Sequence, residues 1–256
     1  MTNVLVCIKR VPDSSGEVLL TDDQQGVDGR YVGFTVSNHE SCAVELAVRT
    51  AEATGGTVTL LTVGPSEATE QLRDTLALGC HAAVLVEAEP ARLGPADVAR
   101  EIAHVVREKE AAGTTYDLVL LGNDAADSGD FQVGIRLAHA LGRPVVNGVS
   151  TVEVADGNLT ARGDGPDGEE TYSLPLPAVA TVLEGGAEPR YPTLRGRMAA
   201  KKVEIETRPL SAEPAGASRV RLLLPPPAPS TVEVLGEGTE AAKAVADLFE
   251  KLGVTR

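Results

Sequence analysis

Apolar residues along this chain alternate between two patterns: short unbroken runs, and longer stretches with apolar positions three and four residues apart. Residues 4–8, 57–63, 83–86 and 118–121 are runs of the first kind, each followed by polar or turn-forming residues. Such runs suit strands buried on both faces of a parallel sheet. Between them lie helical patterns. Ser37 and Asn38 precede Ala43, Val44, Leu46, Ala47 and Ala51, closed by Gly55-Gly56. Ser66 caps a second helix with Leu72 and Leu76 on its stripe, ending at Gly79; Pro95 opens a third, with Val98, Ile102 and Val105 inward until Gly113. A fourth is expected to begin near Asp130, with Phe131, Ile135 and Ala138 at i, i+4 and i+7 and Gly142 as its left-handed stop. Four alternations of buried strand and capped helix predict right-handed βαβ units. The fold class is therefore α/β, Rossmann-like, with a mostly parallel sheet flanked by helices.

Two stretches break the rhythm. Residues 14–37 are rich in Gly, Asp and Gln without helical period and read as a long excursion, a hairpin. After Gly142, residues 145–146, 149–154 and 171–176 look extended around turn signals at 156–158 and 163–168, which predicts a β-rich insertion before the buried run 178–183. From Thr207 the chain loses its period and becomes Pro-rich, with Pro225, Pro226, Pro227 and Pro229, then offers an amphipathic helix carrying Ala242, Val245, Leu248, Phe249 and Leu252. The expected organisation is an α/β nucleotide-binding domain over 1–205, followed by a C-terminal arm and helix over 206–256.

Composition narrows the function classes. Among 256 residues, 37 are acidic and 23 basic, a net charge of −14, so the average field repels nucleic acid; 3% aromatic residues leave little for base stacking. No stretch reaches the roughly 18 apolar residues that cross a bilayer, so membrane insertion is not expected and a cytoplasmic location is. Cys7, Cys42 and Cys80 lack a CxxC pair and suit a reducing compartment, and the four histidines lack metal-ligand spacing.

Candidate chemistry concentrates at residues 118–142. The loop after the fourth strand lies at a strand's carboxyl end and a helix's amino end, where free N–H groups and the helix dipole suit a phosphate. Gly122, Gly129 and Gly134 allow close approach; Asn123, Asp127, Ser128 and Gln132 can hydrogen-bond a ribose or a base. An ordinary polar loop with Asx turns fits the same spacing. Lys9 and Arg10 fall at the carboxyl end of the first strand, as a ligand-facing or merely solvated basic pair. A second signal is residues 184–202, which hold Arg190, Arg195, Arg197, Lys201 and Lys202 in an acidic chain, with Pro189 and Pro192 stiffening a loop that presents Tyr191 and Leu194. Leu194 is either an exposed partner anchor or a packing residue beside a solvated cationic face.

With these stretches in hand, VCIKRVPD in residues 4–13, SNHESCAVELA at 37–47, TVGP at 62–65, LVLLGNDAADSGDFQVG at 118–134 and EGGAEPRYPTLRGRMAAKK at 184–202, the chain resembles the beta subunit of electron-transfer flavoproteins. The resemblance covers nearly all of residues 1–205. It implies an adenine-nucleotide hydrolase-like fold and an electron carrier, not an enzyme. It also implies a heterodimer with an alpha subunit that holds most of a shared FAD. Electrons would pass from flavoprotein dehydrogenases of the acyl-CoA type, as in fatty acid oxidation, to a downstream quinone-linked oxidoreductase. A structural AMP is implied against Cys7, Lys9, Ser37, Asn38, His39, Glu40 and Val63, and against the loop of Gly122, Asn123, Asp124, Ala125, Ala126, Asp127, Ser128, Gly129, Asp130, Phe131, Gln132 and Val133. Partner recognition falls to Tyr191, Leu194, Arg195, Arg197 and Met198. The chain departs from the family where Ser37-Asn38-His39-Glu40 replaces Asn-Pro-Phe-Asp and Arg195-Gly196 replaces Pro-Asn.

Two other readings share these residues. A free-standing nucleotide-binding protein of the universal-stress type would look alike through Gly142, but lacks the basic loop and Pro-rich arm. An electron-bifurcating flavoprotein would place a second FAD in the nucleotide site, where Asp130 at a helix amino terminus would repel its diphosphate.

Overall fold

The apolar runs become neighbouring strands in a computed structural model that describes residues 1–13, 15, 17–216, 218–226 and 232–254. In chain order the elements are β1 (Val4–Cys7), β2 (Val11–Pro12), β3 (Phe34–Thr35), α1 (Asn38–Thr54), β4 (Val58–Gly64), α2 (Thr69–Leu76), β5 (Ala82–Glu87), α3 (Pro95–Ala111), β6 (Leu118–Gly122) and α4 (Val133–Leu141). There follow β7 (Val145–Val149), β8 (Thr151–Ala155), β9 (Asn158–Gly165), β10 (Gly168–Pro175), β11 (Ala178–Val182), α5 (Leu194–Ala200), β12 (Ile205–Pro209) and α6 (Ala241–Lys251).

Among the described residues, seven strands form one sheet in the order β12-β5-β4-β1-β6-β11-β7. Every neighbouring pair in it is parallel. The chain runs outward from β1 through β4 to β5, then returns to the other side of β1 with β6. That reversal opens a crevice at the carboxyl ends of β1, β4 and β6, the usual ligand position in an open α/β sheet.

Alternate side chains of each strand go to opposite faces. Val4, Val6, Leu60, Leu118 and Leu120 join α1 and α2 in one core; Leu5, Cys7, Leu61, Val119 and Leu121 join α3 and α4 in the other. Leu5 and Leu60 are fully buried, so truncating either to Ala costs about 2–5 kcal/mol.

The β-rich insertion is the antiparallel meander β8-β9-β10. β7, expected within it, instead pairs with β11 in the main sheet. The excursion before α1 closes as expected: β2 pairs with β3, and Leu20 bridges Val27.

Three local expectations change. α4 starts at Val133, not near Asp130, because the Asp130 carboxylate accepts from the Gln132 N–H at 2.9 Å in a turn of its own. Phe131 therefore lies outside the helix and is 65% exposed, and the buried positions of α4 are Gly134, Leu137 and Ala138. Ser66 opens a short 3-10 turn and does not cap α2, which ends at Leu76. The chain past Glu206 still carries sheet: β12 is an edge strand on β5, with Pro209 at its end, where no inner ladder is interrupted.

Two compact units are present, Met1–Leu222 and Leu223–Arg256. The second contains α6, with Phe249 exposed in it and Leu252 exposed at its C-cap. Pro225 and Pro226 precede it in irregular chain, while Pro227 and Pro229 lie outside the described residues.

Candidate functional site

A cavity of about 430 Å³ fills the crevice at the sheet switch point. Its floor is the carboxyl ends of three strands, through Cys7, Leu61, Val63, Leu121 and Gly122. One wall is the loop after β6, contributing Asn123, Asp124, Ala125, Asp127, Ser128 and Asp130, and ending on Val133 and Gly134. Lys9 and Glu40 are the other expected residues that reach it.

The loop is shaped by its own hydrogen bonds. The Ala125 N–H donates to the Asp130 carbonyl at 2.9 Å, and the Gly129 N–H donates to the Ala125 carbonyl at 2.7 Å. Gly129 has φ +64, a left-handed turn position that favours glycine. Gly122 is required for a different reason: a Cβ there would lie 2.8 Å from Glu40 Cγ and 3.3 Å from the Glu40 nitrogen. Bare backbone lets the end of β6 abut the first turn of α1. At the far side Asn123 is locked, its Oδ1 accepting from Thr181 Oγ1 at 2.8 Å.

That first turn is held by a capping box. Ser37 Oγ accepts from the Glu40 N–H at 3.3 Å and donates to Glu40 Oε2 at 2.8 Å, which also accepts from the Ser37 N–H at 3.1 Å. Burial pushes the Glu40 carboxyl up to about 7, against the hydrogen bonds from Ser37 and the nearby Lys9 charge. Burial likewise raises the Cys7 thiol, and Glu40 adds to it. Cys7 is thus a neutral apolar wall, not a nucleophile.

Charges on the wall are arranged in pairs. Lys9 Nζ lies 2.5 Å from Asp127 Oδ1. His39 Nδ1 lies 2.7 Å from Asp124 Oδ1, both atoms buried, without meeting hydrogen-bond geometry. Cys7 is neutral, Glu40 is held by Ser37, and Lys9 and His39 face Asp127 and Asp124, so these groups of the site are tied to one another in an arrangement that suits binding and orientation.

The expected residues do not all reach the cavity. Ser37 and His39 act behind Glu40 and Asp124, while Asn38 donates to Glu184 Oε2 at 3.0 Å. Ala126 and Gly129 form the loop's outer turn, Gln132 accepts from Arg136, and Phe131 is exposed. Sequence reasoning missed the opposite wall: Pro90, Leu93, Gly94, Pro95, Val98 and Ile102 at the start of α3. The Gly94-Pro95 helix start was its visible signal. Arg219 also lines the cavity, and no local pattern marks it.

The second region is built differently. Tyr191 is 90%, Leu194 77% and Met198 60% exposed, which removes the reading of Leu194 as a packing residue. The expected loop becomes helix from Leu194, capped by Thr193, whose Oγ1 accepts from the Gly196 N–H at 3.0 Å. Leu194 and Met198, four residues apart, share a face of α5.

Clamps flank this patch. Arg190 binds Glu45 and Glu52 of α1, each at 2.8 Å, so it is an internal tie. Arg73 Nη1 donates to the carbonyls of Ala200 and Val203 at 2.5 and 2.6 Å. At Gly196 a Cβ would lie 2.2 Å from the Ala77 carbonyl oxygen, so glycine is what lets α5 lie on the end of α2. Among the described residues, Arg195, Arg197, Lys201 and Lys202 form no ion pair.

Residues 27–213 match the electron transfer flavoprotein domain. The chain is 32% identical over 257 residues to "Electron transfer flavoprotein subunit beta" of Bacillus subtilis, covering 96% of this chain and 97% of that protein. The protein of the same name from Syntrophomonas wolfei is 32% identical over 249 residues, 95% and 94% of the two chains. The one from Homo sapiens is 38% identical over 207 residues, 79% of each.

Proposed function

The chain belongs to the electron transfer flavoprotein beta-subunit family, and on that premise we propose that it pairs with an alpha subunit to carry electrons between other flavoproteins and a downstream acceptor. The donors are flavoprotein dehydrogenases of the acyl-CoA type, and the acceptor is a quinone-linked oxidoreductase. The chain's role is to bind, position and dock. No helix among the described residues is long and apolar enough to cross a membrane.

In this reading the cavity takes one AMP as a structural ligand. The single observation that carries it is the 430 Å³ cavity at the switch point, bounded by the strand ends and loop against which the resemblance implies an AMP. Val98, Ile102 and Leu61 offer an apolar side for a base, and Asn123 and Ser128 offer polar atoms for a ribose. The amino terminus of α4 carries no side-chain cap and so retains donors for a phosphate. Asp124, Asp127 and Asp130 crowd the same wall, which supports one phosphate over the diphosphate of a second FAD.

A shared FAD, held mainly by the partner, would supply the redox chemistry. This chain contributes enclosure and the exposed α5 face, whose Leu194, Tyr191 and Met198 anchor a dehydrogenase while Arg195 and Arg197 steer it. The Leu223–Arg256 unit, with the amphipathic α6, docks on the alpha subunit.

The test is a nucleotide count. The chain is coexpressed with the alpha subunit from its own organism, and the denatured heterodimer is chromatographed. About one AMP and one FAD per heterodimer are expected, since a ligand bound only to the folded state survives purification. Two FAD and no AMP would move the assignment to the electron-bifurcating class, and no adenine nucleotide would remove the AMP site.

A further inference from the structure

We propose that Arg219 is a specificity-determining residue of the cavity, supplying the positive charge that recognises the phosphate of a nucleoside monophosphate. The proposal rests on the nucleotide reading above and adds a contact from a segment outside the loop. Its basis is the strap formed by residues 210–216 and 218–222, which crosses the start of α3.

The strap is fixed by buried carboxylates. Asp97 and Glu101 of α3 are 0% and 1% exposed. Glu101 Oε2 accepts from the Ser211 N–H at 2.7 Å; Asp97 accepts from the N–H groups of Ala215 and Gly216 at 2.9 and 3.0 Å. Burial acts to raise the Asp97 carboxyl, but hydrogen bonds from Ala215, Gly94, Gly216 and Arg100 outweigh it and hold Asp97 below the usual range. Asp97 is therefore a charged, permanent anchor. Beyond it the Arg219 N–H donates to the Ala91 carbonyl and the Leu222 N–H to the Gln24 carbonyl, at 2.9 and 2.8 Å.

So placed, Arg219 brings its side chain to the cavity wall beside the start of α3. Two cations line the cavity, and they differ. Lys9 is matched by Asp127. Arg219 makes no ion pair among the described residues; its Nη1 donates to the Gln25 carbonyl, using one of the five donors of a guanidinium. An unmatched planar fork on the wall of a cavity otherwise edged by Asp124, Asp127 and Asp130 suits a phosphate oxygen pair.

Selectivity for AMP over adenosine follows. The full-length chain, freed of nucleotide by dialysis, is titrated calorimetrically with AMP and with adenosine, as wild type, Arg219→Gln and Arg219→Lys. Loss of a charge-assisted pair should lower the AMP-over-adenosine preference of Arg219→Gln by about tenfold or more. Its adenosine affinity should stay at the wild-type level, and Arg219→Lys should keep most of the preference. Arg219→Met replaces the glutamine variant if that one does not fold. An unchanged preference, or equal weakening of both ligands, overturns the assignment and leaves Arg219 as a tie for the strap. A wild-type chain that binds neither ligand overturns the nucleotide reading itself, and Arg219's role with it.

Discussion

The cavity and the α5 patch both place cations at a candidate contact surface in a chain of net charge −14, yet they use them in different ways. Around the cavity, Lys9 is matched by Asp127, His39 meets Asp124 and Glu40 is held by Ser37, with Arg219 the exception that faces no carboxylate among the described residues. Around α5, Arg190 and Arg73 are tied down, while Arg195 and Arg197 stand in solvent beside Leu194. Pairing in a partly buried site fixes geometry, and unpaired surface charge acts at a distance. The first arrangement suits a ligand that stays; the second suits a partner that arrives and leaves.

The largest expected effect that separates them is a pH dependence confined to the cavity. Glu40 is buried, with a folded-state pKa of about 7 against an ordinary 4.5. A folded pKa above the unfolded one means that folding favours the protonated form. Its stabilising contribution is present below about pH 4.5 and lost as pH rises through 7. At 1.36 kcal/mol per unit this amounts to about 3 kcal/mol at most. Glu40→Gln mimics the protonated state, so its melting temperature should gain on the wild type between those pH values. Parallel profiles for the two proteins would show that Glu40 does not titrate in that window. Variants on the α5 face should leave the profile unchanged.

Next in size is Leu194→Ala. The side chain is 77% exposed, so its loss should leave the melting temperature and the nucleotide content unaltered. As a central anchor it is worth about 2 kcal/mol of docking, near thirtyfold in apparent affinity for a dehydrogenase. Equal rates of reduction for variant and wild type across dehydrogenase concentrations would end the anchor role.

How much of this could be read from residues differs between the two regions for a physical reason. The inner strands and the α1 start were legible because burial on both faces demands unbroken apolar runs, and because a capping box is local: Ser37 and Glu40 are three residues apart. The start of α4 was misplaced because an Asx turn at Asp130 has the same residues as a helix cap, and Phe131 mimicked an inward position while pointing to solvent. β12 escaped because an edge strand with half-exposed residues needs no apolar run. The strap escaped because its anchors, Asp97 and Glu101, lie more than 100 residues from the N–H groups they accept. The α5 residues were read as a loop presenting Tyr191 and Leu194; both are exposed, but the helix, the fit of Gly196 against Ala77 and the Arg73 and Arg190 ties depend on residues far away in the chain.

The smallest effect is the one that most sharpens the comparison. Arg195→Gln with Arg197→Gln removes two solvated charges that touch no carboxylate among the described residues, so it should change stability by well under 1 kcal/mol. Docking contacts of Leu194 remain. What changes is the encounter: charges that act over a Debye length of about 8 Å at physiological salt speed the approach of an acidic surface without holding it afterwards. Stopped-flow reduction by a dehydrogenase at increasing salt should show a wild-type association rate that falls with ionic strength, and a double variant that starts lower and falls less. The dissociation rate should be nearly the same for both. Lys9→Gln provides the contrast from the paired region, since removing a cation already matched by Asp127 should leave the salt dependence of encounter where it was. If the α5 variant and wild type kept the same salt slope, the unpaired arginines would be solvated surface with no steering role, and the contrast between the two regions would rest on Leu194 alone.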